Sequence, residues 1–156
     1  MSESKRILLA EDSPNDIELM MAALEESQLD NEVDIVRDGV EALDYLFRRG
    51  KFTDRREGNP AVIFLDIKMP KVSGLEVLRA IRGNERFQWI PVVMLTSSRE
   101  KRDIAESYQL LANAYVVKPV DFEHYAETVG ELGRFWGRRN EPPPESGGTE
   151  PRQQPS

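Results

Sequence analysis

The chain has 156 residues, 39% of them hydrophobic, which is enough to fill the core of one domain. A formal charge of -7 excludes a surface for nucleic-acid backbones, which needs clustered Lys and Arg, and the absence of cysteine excludes a disulfide framework, a thiolate nucleophile and a cysteine-type zinc site. No apolar run approaches the roughly 18 residues of a membrane span, and Met1-Ser2-Glu3-Ser4-Lys5-Arg6 leads into too short an apolar stretch for a signal peptide, so no membrane partner and a cytoplasmic location are expected.

Apolar runs alternate with helical spacings along the whole chain, the pattern of a parallel sheet wound with helices on both faces. The first strand is predicted at about residues 6 to 10 and ends in Glu11-Asp12. A helix follows from Pro14, with Ser13 as its N-cap and Ile17, Met20, Met21 and Leu24 on its core face. A strand at 33 to 37 precedes a helix over 39 to 49 that carries Val40, Leu43, Leu46 and Phe47 at helical spacing. Residues 50 to 60 are polar, end in turn formers and read as a surface loop. The third strand, 61 to 65, delivers Asp66 onto the turn Ile67-Lys68-Met69-Pro70, and Leu75, Leu78 and Ile81 mark a helix over 73 to 83. The fourth strand, 91 to 95, ends at Thr96; after Ser97-Ser98, the cluster Arg99-Glu100-Lys101-Arg102-Asp103 reads as the solvated start of a helix. A fifth strand, 114 to 117, ends in Lys118-Pro119.

The last helix is predicted over 122 to 136, with His124 on its solvated side. Its stripe of Phe122, Tyr125, Ala126, Val129, Leu132, Phe135 and Trp136 exceeds what one buried face needs, and points to a homodimer through this helix. Gly130 and Gly133 each cost about 1 kcal/mol relative to alanine inside a helix, so they imply close backbone approach or fraying. Residues 1–139 are therefore read as the folded domain, and 140–156, without an apolar anchor, as a disordered polar tail.

Strands of an open parallel sheet end at one shared edge, where ligand crevices form. Glu11, Asp12, Asp66, Thr96 and Lys118 all fall at that edge. Two carboxylates about 4 Å apart repel by roughly 4 kcal/mol at an effective dielectric near 20, so the acids call for a cation. A small set of hard oxygen ligands suits Mg2+, with Mn2+ as the alternative, and such ions bind through carboxylates and phosphate oxygens. The Thr96 hydroxyl and the Lys118 ammonium complete a phosphoryl-binding corner set.

Those residues, Glu11-Asp12, Asp66-Ile67-Lys68-Met69-Pro70 with Gly74, Thr96-Ser97, Tyr115 and Lys118-Pro119, resemble the receiver domain of two-component response regulators over about residues 5 to 137. Thr96 lies 30 residues after Asp66 and Lys118 lies 22 after Thr96, close to the family spacing. The resemblance implies a flavodoxin-like α/β fold with five helices and sheet order 2-1-3-4-5. It implies phosphorylation of Asp66 by a sensor histidine kinase, with Mg2+ held by Asp12, Asp66 and the Lys68 backbone carbonyl, and by Glu11 through water. Lys118 would pair with a phosphoryl oxygen, and Thr96 would move to bond another and make room for Tyr115, as the switch. Pro119 would follow a cis peptide bond. The loop at 50 to 60 and the Phe135-Trp136 ending look more narrowly like the stand-alone regulators that partner bacterial phytochromes.

The expected function is a phosphoacceptor, not an enzyme, that signals by protein binding. A phosphorylation-independent binding module and a phosphorelay intermediate are the alternatives. Lys68 near the acyl phosphate and the short Ser98 point to slow hydrolysis. Lys68 also replaces the second aspartate that a phosphohydrolase of the haloacid dehalogenase type needs two residues after the first.

Overall fold

Strands with no solvent-facing position are what a sheet covered on both faces demands, and the computed structural model, which describes residues 5–145, has that arrangement. Five parallel strands, β1 (Ile7–Ala10), β2 (Val33–Val36), β3 (Val62–Leu65), β4 (Val92–Thr96) and β5 (Ala114–Val117), line up in the order β2-β1-β3-β4-β5. The order and the five helices agree with the flavodoxin-like expectation. The three central strands are buried throughout, whereas β5 at one edge is half-buried along its length.

Alternate residues of each strand feed two cores, as the period of two requires. Leu8, Ala10, Ile63, Leu65 and Met94 face α2 (Gly39–Phe47) and α3 (Gly74–Arg82). Ile7, Leu9, Val62, Phe64, Val93 and Leu95 face α1 (Pro14–Glu26) and α5 (Phe122–Leu132). Helix α4 (Lys101–Gln109) lies beside β5 and α3. Among the described residues no helix is long and apolar enough to cross a membrane.

Local chemistry sets the helix starts. Ser13 caps α1 by accepting from the Asp16 N–H, with Pro14 at the first helical position. Ser73 and Glu76 form a reciprocal capping box at α3. Three expectations need correcting or sharpening. Leu46 is buried and Leu43 and Phe47 pack against the core as expected, but Val40 is 38% exposed, and Ala42 and Tyr45 complete the buried face of α2, because Tyr45 reaches Asp34 on β2 with a 2.6 Å hydrogen bond. Residues 50 to 60 form more than a surface loop: they open with a 3-10 turn, Gly50–Phe52, whose Phe52 packs edge-on against Tyr45. Arg55 then stacks over the Tyr45 ring and donates to the Tyr45 carbonyl at 2.6 Å, because an inserted guanidinium satisfies backbone acceptors that a bare loop would leave open. Helix α5 stops at Leu132 and continues as a π-helical segment, Gly133–Arg139.

No peptide bond among the described residues is cis, so the Lys118–Pro119 bond is trans, the isomer that costs less even before proline. Of the two readings of the glycines in the last helix, close approach is the one realised. A Cβ at Gly133 would lie 2.6 Å from Leu24 and 2.7 Å from Leu29, and one at Gly130 would lie 2.6 Å from the Ser27 hydroxyl. Small residues there let α5 settle directly onto α1. Beyond Asn140 the chain runs back past the amino ends of the strands. Glu141 pairs with Lys5 at 3.1 Å, and Glu145 accepts from the Asn59 N–H. The rest of the predicted tail, 146–156, lies outside the described residues.

Candidate functional site

The carboxyl edge of the sheet gathers one lysine and four acids. Backbone pairing fixes the supports: the Glu11 N–H donates to the Val36 carbonyl at 3.0 Å, the Asp66 N–H to Ala10 at 3.1 Å and the Lys118 N–H to Thr96 at 2.8 Å. Side chains just past these strand ends therefore project from neighbouring, rigid positions. Gly74 completes the support under Asp66, since a Cβ there would lie 1.9 Å from the Asp66 carbonyl oxygen. Only glycine lets the start of α3 pass so close to the turn.

At the centre, the Lys118 ammonium donates to Glu11 Oε1, to Asp66 Oδ2 at 3.0 Å and to Asp16 Oδ2 at 2.9 Å. Its three donors are all engaged. Glu11 also accepts from the Ser13 N–H at 3.1 Å, and Asp66 Oδ1 from the Ile67 N–H at 2.7 Å. Glu11, Asp66 and Lys118 are buried. Carboxylate oxygens of Glu11, Asp12 and Asp66 lie within 4.8 Å of one another.

One ammonium faces an excess of negative charge, and the protonation balance reflects it. Burial, then the neighbouring Asp66 charge, raises the Glu11 carboxyl from 4.5 to about 7, although Lys118 bonds it. Burial pulls the Lys118 ammonium down, but Asp66, Glu11 and Asp16 outweigh it and hold the pKa above its ordinary range. The two directions are consistent: a single lysine cannot neutralise all the carboxylates around it, so Glu11 takes up the imbalance. A hard divalent cation relieves the same excess, and the oxygen-only donor set fits Mg2+ or Mn2+. The ammonium already occupying two of these carboxylates is a stand-in for such a charge.

Thr96 is buried at the end of β4, and its Oγ1 accepts from the Ser98 N–H at 3.3 Å. The Tyr115 hydroxyl, on half-buried β5, donates to the Ser98 carbonyl at 3.0 Å. Lys68 is exposed on the turn after β3. His124 is exposed and bonds Asp121 at 2.6 Å.

Two residues escaped the sequence reading. Asp16 looks like an ordinary acid in the first turn of a helix, where the dipole alone would explain it, and nothing in its spacing pairs it with Lys118. Asp103 was expected on a solvated helix start but is buried. Its carboxylate accepts from Ser98 Oγ at 2.5 Å, and its carbonyl accepts from Ser107 Oγ at 2.7 Å. The surrounding charges hid it; the hydroxyls of Ser98 and Ser107, at i-5 and i+4, were the available signal.

Comparison with known proteins agrees with this fold. Residues 7–129 match the response regulator receiver domain. The response regulator Rcp1 of Synechocystis sp. is 37% identical over 132 residues, which cover 85% of this chain and 88% of that protein. The crystal structure of the Mn2+-bound form of response regulator Rcp1 superposes with a TM-score of 0.83, covering 90% of this chain and 99% of that one at 36% identity. The phosphorylated cyanobacterial phytochrome response regulator RcpA gives a TM-score of 0.84 at 36% identity, covering 91% of this chain and 100% of that one. The bacteriophytochrome response regulator RtBRR is 57% identical, with a TM-score of 0.73 and coverage of 91% of this chain and 86% of that one.

Proposed function

The chain belongs to the response regulator receiver domain family, and from that premise we propose that it is a phosphoacceptor whose Asp66 takes a phosphoryl group from a sensor histidine kinase. A receiver is a phosphoacceptor module, not an enzyme. The observation that carries the reading is the position of Asp66, which is buried, belongs to the three-carboxylate cluster and is bonded to Lys118.

An Asp66 carboxylate oxygen forms the new P–O bond while the P–N bond to the donor imidazole breaks and its electron pair returns to the ring. A divalent ion held by Asp12, Asp66 and the Lys68 carbonyl, with Glu11 through water, would neutralise charge on the transferred group. Lys118 then bonds a phosphoryl oxygen. Thr96 takes another oxygen, gives up the Ser98 N–H and frees the Ser98 loop, to which Tyr115 is tied. The switch is an ordering step driven by charge-assisted hydrogen bonds. Exposed Lys68 shields the acyl phosphate and slows its hydrolysis.

A phytochrome-type kinase is the proposed donor, supported by the likeness to RcpA and RtBRR. A homodimer through the last helix is supported by Phe122 and Phe135, exposed by 59% and 52%, while Tyr125 and Val129 of the same stripe are spent on the core. A cytoplasmic location is part of the same proposal, as is the division into a receiver domain at 1–139 and a polar tail.

Incubation with acetyl phosphate and Mg2+ tests the reading by intact mass and size-exclusion chromatography. Wild type is expected to gain one phosphoryl mass only with metal, Asp66→Asn to gain none, and dimerisation to advance the elution. Equal labelling of both proteins would remove Asp66 from the mechanism.

A further inference from the structure

Lys118 poses a problem for the metal. Its ammonium sits on Glu11 and Asp66, two of the three acids that would hold a divalent cation. Two cations on the same oxygens repel strongly at this burial. The lysine cannot simply retreat to water, because its side chain is only 5% exposed. It needs a counterion outside the metal's own ligands.

Asp16 is that carboxylate. It bonds Lys118 at 2.9 Å, stands apart from the Glu11, Asp12 and Asp66 cluster, and retains 26% side-chain exposure, so holding its charge costs little desolvation. Among the described residues its carboxylate bonds no other side chain. A second, separate feature lies beside it. The Tyr125 hydroxyl is buried and has no hydrogen-bond partner among the described residues, and Tyr125 lines one cleft of about 370 Å³ together with Asp16 and Lys118. Burial and then the Asp16 charge raise its pKa, so the phenol stays neutral and keeps an acceptor lone pair. A buried polar group without a partner is uncommon enough to require an explanation. An ammonium drawn toward Asp16 would supply the missing partner.

We propose that Asp16 is a positioning residue that draws the Lys118 ammonium off Glu11 and Asp66 when a divalent cation binds, with Tyr125 completing the alternative seat. The metal and the lysine then occupy the site together, and Lys118 stays within reach of the incoming phosphoryl group. This rests on the receiver reading above.

A double-mutant cycle on Mn2+ binding, followed by electron paramagnetic resonance at fixed pH and salt, tests it. Asp16→Asn is expected to weaken Mn2+ binding by about fivefold in protein that carries Lys118, a coupling of the size contacting residues show. It is expected to leave binding unchanged in a Lys118→Met background, and Asp16→Glu to restore it. Equal weakening in both backgrounds would mean that Asp16 acts on the metal by its charge alone, and overturns the proposal, as does no weakening in either. Side-chain NMR of Lys118 supplies a readout in the intact lysine chain. Adding a diamagnetic Mg2+ is expected to move the ammonium resonance, and Asp16→Asn to abolish that movement; a movement unaffected by Asp16→Asn also overturns it. Failure of wild type itself to bind Mn2+ would instead remove the metal-dependent phosphoacceptor reading.

Discussion

Helix α1 and helix α4 cover opposite faces of the same sheet by different means. Helix α1 buries Ile17, Met20, Ala23 and Leu24, and the small residues Gly130 and Gly133 let α5 and the segment after it press onto it. Helix α4 buries Asp103 and Ser107, two polar residues, and lies against β5, the strand that is half-buried throughout. Aliphatic packing loses energy steeply when its partners separate, because interiors are close-packed. A polar contact can be traded for another of similar energy. The layer that supports the acids is thus held by close packing, while the layer next to Thr96 and Tyr115 is held by a few exchangeable hydrogen bonds, the character of elements that open locally at low cost.

The heaviest blow to the packed layer is Leu24→Ala. It is expected to lower unfolding free energy by about 2–5 kcal/mol, as buried Leu truncations do, measured by urea denaturation. A smaller loss is expected from Asp103→Ala, about 1–3 kcal/mol, because Ser98 Oγ loses its acceptor. Amides of residues 97–100 should exchange faster while those of α1 do not change. If Asp103→Ala proves costlier than Leu24→Ala, or speeds exchange in α1, the contrast between the layers is broken.

The third prediction leaves both layers intact and acts at the edge between them. The Glu11 carboxyl is raised from 4.5 to about 7 in the fold, so its contribution favours the metal-free fold below pH 4.5 and is lost as pH rises through about 7. A carboxylate that supports the metal, here through water, does so in its charged form, which makes the dependence of metal binding opposite in sign. Mn2+ affinity is expected to fall by about tenfold for each pH unit below about 7. A flat profile in calorimetric titrations from pH 5 to 8 would dissociate Glu11 from the metal.

The fold was legible where one physical signal dominated. Val92 to Leu95 could only be a buried strand, and Ser13-Pro14 could only open a helix. The corners Glu11, Asp66 and Lys118 came together because strand ends share an edge, and Thr96 ends the neighbouring strand. Legibility failed where a residue served two purposes at once. Asp16 obeys the helix dipole and also binds a lysine 102 positions away. Asp103 carries a surface residue's charge in a buried place, made tolerable by Ser98. Val40 fits helical spacing as well as Ala42 does, and only the tertiary pairing of Tyr45 with Asp34 decides the rotation of α2.

The strand order also schedules folding on the ribosome. β1 is central in the sheet although it is made first, and its second neighbour, β3, lies about 50 residues further along the chain. At roughly 5–20 residues per second of synthesis, the apolar run Ile7–Ala10 waits several seconds with one edge open before Val62–Leu65 can close it. Nascent chains stalled within that interval present a wholly apolar strand with an unpaired edge, and truncations ending before Val62 are expected to accumulate as aggregates, whereas chains carried through β5 should remain dispersed.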